Sequence, residues 1–155
     1  MKRVDSETMR RIDEMAVHKY GITVRLLMEQ AGRAIADVIS REFLSCAVLV
    51  LIGKGNNGGD GLVAARYLAD RAFSVRVLLL EDPSTLKPDS FFYYQSLLKM
   101  GLPMLSLASG SVDFYHELRG MALVLDAVFG VGFHGRVTGI YEDVIQSVNR
   151  SGKAV

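Results

Sequence analysis

Cys46-Ala47-Val48-Leu49-Val50-Leu51-Ile52-Gly53-Lys54-Gly55-Asn56-Asn57-Gly58-Gly59-Asp60-Gly61 decides the fold. Its first part is a continuous apolar run, as expected of a strand covered on both faces. Its second part holds five glycines, two adjacent amides and one carboxylate. Glycines gather where the backbone takes φ > 0 or where a ligand must come close. Leu62, Val63, Ala65, Leu68 and Ala69 then repeat at helical spacing over about ten residues. A strand, a glycine-rich turn and a helix in that order open a β-α unit, and an elaborate turn at such a place points to binding.

The same alternation continues outward. Val75–Leu80 reads as the next strand, Ser90–Met100 as a helix closed by Gly101, and Pro103–Leu107 as a weak third strand. Val112–Arg119 reads as a short helix, and Ala122–Ala127 as a strong strand carrying Asp126 near its end. Tyr141–Arg150 reads as a helix and Lys153–Val155 as a strand beginning. Upstream, Asp5 or Ser6 caps a helix with Met9, Ile12 and Ala16 on one side, ended by Gly21. A second helix spans about Thr23 to Phe43, with Leu27, Ala31, Ala34, Ile35, Val38 and Ile39 as its apolar stripe. Strands alternating with helices imply a mainly parallel sheet with right-handed crossovers and helices on both faces, preceded by N-terminal helices. Ligands of such sheets collect outside the carboxyl ends of the strands. The glycine-rich turn and Asp126 therefore share one edge.

With 155 residues, half of them hydrophobic, the chain suits one domain with a sizeable core. Eighteen basic and seventeen acidic residues leave a net charge of +1, and no dense basic stripe favours nucleic acid. Cys46 is the lone cysteine, which suggests a reducing, cytosolic setting. The first residues hold no apolar signal region, and no run approaches the roughly 18 apolar residues of a membrane helix.

Gly53-x-Gly55-x-x-Gly58 matches the dinucleotide fingerprint in letters, and Glu81 or Asp82 lies about where a ribose-binding acid is expected. Asp60 argues against its simplest form, because a carboxylate near a helix start opposes a pyrophosphate there. Asp60 reads either as a helix cap or as a contact to ligand hydroxyls. A Walker loop fails, since Gly58-Gly59-Asp60 stands where Gly-Lys-Ser/Thr is required. Asn57 and Asp126, with loop carbonyls, would suit a hard cation, monovalent or divalent; Asp126 could instead be satisfied by its own following turn. Phe129-Gly130-Val131-Gly132-Phe133-His134-Gly135-Arg136 is a second glycine-rich loop, suited to phosphate or else a solvated crossover. There is no zinc spacing and no Gly-x-Ser-x-Gly elbow.

Taken together, these pieces resemble the NAD(P)HX epimerase family, also called the YjeF N-terminal domain. The resemblance rests on Met9-Arg10-x-x-Asp13, on Gly21-Ile22 with Leu27-Met28-Glu29-x-Ala31-Gly32, and on Gly53 through Arg66 around Asn-Asn-Gly-Gly-Asp-Gly. Asp126-Ala127-Val128-Phe129-Gly130-x-Gly132 completes it. It implies a Rossmann-like three-layer α/β/α sandwich and interconversion of the R and S forms of hydrated NADH and NADPH. By position, Asn56, Asn57, Gly58, Gly59 and Asp60 would line the hydrated nucleotide. Gly130, Val131, Gly132, Phe133, His134, Gly135 and Arg136 would bind its phosphate side. Asn57 and Asp126 would hold a potassium ion, and Asp126 would be the acid–base group. The family's next loop, Val-Asp-x-Pro-Ser-Gly, lies beyond Val155, so residues 1–155 are expected to be one domain incomplete at its C-terminus. They would be either part of a longer chain, such as an epimerase fused to a dehydratase, or a shortened member. A dehydratase is the expected functional partner and a homodimer fits the family. Two readings compete with the epimerase: a non-catalytic nucleotide-binding or scaffold module, and an ordinary NAD-dependent oxidoreductase.

Overall fold

The computed structural model describes residues 4–155. Helix α1, Ser6–Tyr20, starts where Asp5 Oδ1 accepts the Thr8 amide at 2.7 Å, and stops at Gly21, whose φ is 67°. The left-handed value is one that glycine adopts without a Cβ clash. Thr23 caps α2, Val24–Glu42, through the Leu26 amide. Strand β1, Ala47–Ile52, then leads into α3, Asn56–Asp70. Strand β2, Ser74–Leu79, α4, Pro88–Lys99, and β3, Met104–Ser106, follow. Next come α5, Phe114–Arg119, β4, Leu123–Ala127, and α6, Ile140–Arg150. The sheet is parallel throughout, in the order β3-β2-β1-β4. Ala154 adds a single parallel bridge beside Leu123, where a further strand was expected to begin.

Strand β1 explains the three layers. Val48, Val50 and Ile52 face one way, into a core with Met28, Ala36 and Ile39 of α2, Leu62 and Leu68 of α3, and Leu97 of α4. Leu49 and Leu51 face the other way, against Phe114 and Leu118 of α5 and Val144 and Val148 of α6. An alternating side-chain direction with apolar residues on both sides requires helices above and below. The Rossmann-like three-layer sandwich expected from the sequence is the observed fold.

Three local expectations change. The glycine-rich turn is mostly helix: α3 begins at Asn56, six residues before Leu62, and Gly55 is its N-cap. None of its five glycines has a positive φ. On α2 the buried residues are Met28, Gly32, Ala36 and Ile39, whereas Ala31, Ala34 and Val38 are exposed. Both sets recur at helical spacing, so periodicity alone did not distinguish them. On α1 no residue is buried, and Met9 and Ile12 stay exposed rather than packing on the core. No helix of the described residues is long and apolar enough to cross a membrane.

Candidate functional site at the carboxyl edge of the sheet

The chain runs from β1 to β2 on one side and reaches β4 on the other, so the sheet order reverses between β1 and β4. At such a switch point the two connections diverge and leave a crevice. Here that position lies where the start of α3 meets the turn after β4.

Glycine lets these walls meet. A Cβ on Gly53 would lie 2.0 Å from the Val128 carbonyl oxygen, and one on Gly58 would lie 2.0 Å from the Gly53 carbonyl oxygen. A Cβ on Gly59 would meet Met28 Sδ at 2.3 Å and the Ser90 Oγ at 2.6 Å; one on Gly61 would meet Ala127 Cβ at 2.4 Å. The glycines thus serve close approach of protein to protein. Gly58 and Gly59, expected to line the nucleotide, are themselves buried in this packing. Beside them at the start of α3, Asn56 is exposed, and Asn57 and Asp60 are half-buried.

Asn57 joins the two glycine-rich segments. Its Nδ2 donates to the Phe129 carbonyl at 2.9 Å, and a Cβ on Gly130 would lie 3.2 Å from Asn57 Cβ. Asp126 reaches the same turn, its Oδ1 accepting the Val128 amide at 2.9 Å. The reading of Asp126 as satisfied by its own turn therefore holds for one oxygen. The residue is otherwise exposed and lines a recess of about 30 Å³ with Leu51, Ile145, Val148, Asn149 and Val155. Such a space suits a water or an ion but not a nucleotide. Asn57 and Asp126 make no hydrogen bond with each other; each holds a neighbouring residue of one turn. Among the described residues, no three His, Cys, Asp or Glu side chains cluster to hold a metal ion.

Asp60 is the fifth residue of α3 and not its cap, which corrects the capping reading. Burial, and then the carboxylate of Asp13 on α1, push its pKa up to about 7. Charge loss in a desolvated site beside a like charge is the physical cause. Val131, Gly132, Phe133, His134, Gly135 and Arg136 are all exposed, beyond the point where Asn57 pins the loop. The expectation of a ribose-binding acid at the end of β2 meets a different arrangement. Glu81 there is already engaged, by Lys54 Nζ at 3.2 Å and by the Tyr141 hydroxyl. Lys54 and Tyr141 were not singled out from the sequence; no spacing links residues that far apart.

Strand order and layering together define a Rossmann-like α/β domain with its switch point between β1 and β4. The chain belongs to the family described as the YjeF-related protein N-terminus, whose pattern matches residues 24–155. It is 36% identical, over 97% of its length, to the bifunctional NAD(P)H-hydrate repair enzyme Nnr of Moorella thermoacetica, of which it spans 30%. It is 34% identical to the NAD(P)H-hydrate epimerase of Elusimicrobium minutum, covering 97% of this chain and 71% of that one. The crystal structure of yeast ynu0, YNL200c, superposes with a TM-score of 0.81 at 27% identity, over 97% of this chain and 65% of that one.

Proposed function

We propose that this domain is an isomerase that interconverts the R and S forms of hydrated NADH and NADPH, the activity that relatives such as the Elusimicrobium protein carry in their names. The observation that carries the reading is the clasp on the turn after β4. Asn57 holds Phe129 from α3 and Asp126 holds Val128 from within the turn, at the carboxyl edge where sheets of this kind bind ligands. Configuration at the hydroxyl-bearing carbon can change only if that carbon becomes planar: its C–O bond breaks as the oxygen takes a proton and leaves as water, and water adds back to the other face, returning the proton. Asp126 suits this role, because the Val128 amide fixes one carboxylate oxygen and the residue stays exposed. Asn56 and Asp60, with Gly58 and Gly59 beneath them, form the floor for the hydrated nucleotide. Gly130 to Arg136 form the flap over its phosphates, with Arg136 as the charged contact.

A potassium ion fits the donor chemistry. Asn57 uses its amide nitrogen on Phe129 and keeps its carbonyl oxygen as a donor to a cation, and Asp126 keeps a second carboxylate oxygen. Hard oxygens with one formal charge suit a monovalent cation. The ion would supply positive charge beside the reacting group. Residues 1–155 belong on this reading to one epimerase domain, incomplete at its C-terminus, in the cytoplasm, working with a dehydratase that is separate or fused. The exposed apolar side of α1 and α2 would suit a second copy.

The test couples R-NADPHX to an excess of S-specific dehydratase, with and without potassium. Conversion above the spontaneous rate is expected, and Asp126→Asn should lower it by about 100-fold or more. An Asp126→Asn protein with full activity overturns the assignment. Ligand binding without conversion by the wild-type chain would favour the non-catalytic module.

A further inference from the structure

Glu81 lies at the carboxyl end of β2, between the two glycine-rich segments, and touches both sides. Its carboxylate holds Lys54 of the first segment at 3.2 Å and accepts the hydroxyl of Tyr141, just after the second. Its own carbonyl accepts the Ser106 hydroxyl at 3.0 Å, which fixes the backbone from the β3 side. Tyr141 in turn stacks on Phe129 at 5.0 Å between centroids, and Phe129 lies 4.0 Å from Phe133. The Phe129 carbonyl is the one that Asn57 grips. A continuous set of contacts therefore runs from Glu81 through Tyr141 and Phe129 to Asn57. The carboxylate is partly buried, with 26% of its side chain exposed, and it is held ionised below the usual range, first by the Tyr141 hydroxyl. A charged acceptor makes the stronger hydrogen bond.

We propose that Glu81 is a positioning residue of the site: through Tyr141 and Lys54 it ties the two glycine-rich segments together and sets loop 129–133 against Asn57. Beyond Phe129 the loop is held by its own contacts, the Phe133 amide donating to the Gly130 carbonyl at 3.0 Å, while Val131, Gly132 and Phe133 are exposed. Loss of the tie releases the loop that closes on the nucleotide, while Asp126 keeps its own bond to Val128. Binding suffers and the chemical step does not.

The kinetic arm of the test rests on the epimerase reading; the exchange arm does not. Tyr141→Phe keeps the ring stack and removes only the hydroxyl, and Glu81→Gln keeps the shape and removes the charge. Each is expected to raise KM for NADPHX by about three- to tenfold with kcat within about twofold, as when uniform binding is lost. The effects of the double variant should fall short of the sum of the single ones, because both variants act on the Glu81–Tyr141 contact, while Glu81→Gln alone also loses the Lys54 ion pair. Amide hydrogen exchange at 129–134 should quicken in Tyr141→Phe by about threefold or more, with exchange in β1 unchanged. Unchanged loop exchange overturns the proposal, as do additive effects, a fall confined to kcat, or loop exchange that quickens only as the whole domain loosens. If the wild-type chain turns over no hydrate, the epimerase reading fails, and the exchange result alone decides the positioning role.

Discussion

Replacing Gly61 with alanine adds one methyl group where α3 crosses the end of β4. The new Cβ would stand 2.4 Å from Ala127 Cβ and 2.9 Å from Ile52 Cδ1. Carbon atoms rest at about 3.5–4.0 Å, so helix and strand would have to part by roughly 1 Å. The Ile52 contact is the end of a flexible side chain and can give way. The Ala127 contact is rigid, because both carbons are attached directly to backbone within regular elements. Overpacking of this kind costs about 1–3 kcal/mol, and the rigid pair places it near the upper end. Alanine returns about 1 kcal/mol through its better helix propensity. The net expectation is a loss of about 2 kcal/mol, read as a lower urea midpoint with unchanged slope. Ala127→Gly removes the opposing methyl and by itself costs about 1 kcal/mol. The double variant Gly61→Ala, Ala127→Gly should recover most of the Gly61→Ala loss, a coupling of about 1–2 kcal/mol. Gly120→Ala, with nothing within 4 Å of its added Cβ, is the control and should change little. A neutral or stabilised Gly61→Ala protein would refute the close-approach argument, and so would strictly additive effects.

Other expectations concern charge and ligation. The folded pKa of Asp60, about 7, lies above its ordinary 3.8, so its ionisation weakens the fold progressively as pH rises from about 4 to about 7. Asp60→Asn should therefore raise the melting temperature at pH 8 and match the wild type near pH 4, a pH-independent difference being the contrary result. Since solvent reaches the carboxylate, the gain at pH 8 is about 1–2 kcal/mol rather than the full equivalent of the shift. Asn57→Ala removes the bond to Phe129 and should cost about 1 kcal/mol in urea unfolding. The same variant should also abolish any potassium dependence of turnover, and retained dependence would remove Asn57 from the ion site.

The glycine-rich segment shows how far a linear reading reached. It located the crevice, because a strand, a glycine cluster and a helix in sequence must put that cluster at a strand's carboxyl end. It misjudged what the glycines do, because their φ values are ordinary and their absent Cβ atoms face Val128, Gly53, Met28 and Ala127. Apart from Gly53, which is close in sequence to Gly58, those partners lie 31 to 75 residues away, and nothing local encodes the distance to them. The α2 stripe was right at Ile35 and Ile39 and missed at Ala31, Ala34 and Val38 for a related reason: apolar residues lie on more than one side of the helix, and only the position of α3 selects the side with Gly32, whose added Cβ would stand 2.4 Å from Val63.

The order of elements, the helices on both faces and the shared edge of Asn57 and Asp126 were settled by the sequence alone. Each follows from a local period or from the handedness of parallel crossovers, which neighbouring residues carry in full. The tertiary structure alone decided that Asn57 grips Phe129, that Asp60 meets Asp13, and that Glu81 joins Lys54 to Tyr141. Such pairings depend on the separation and rotation of whole elements. Those are set by the packing of every side chain between them, and no single stretch of chain contains that information.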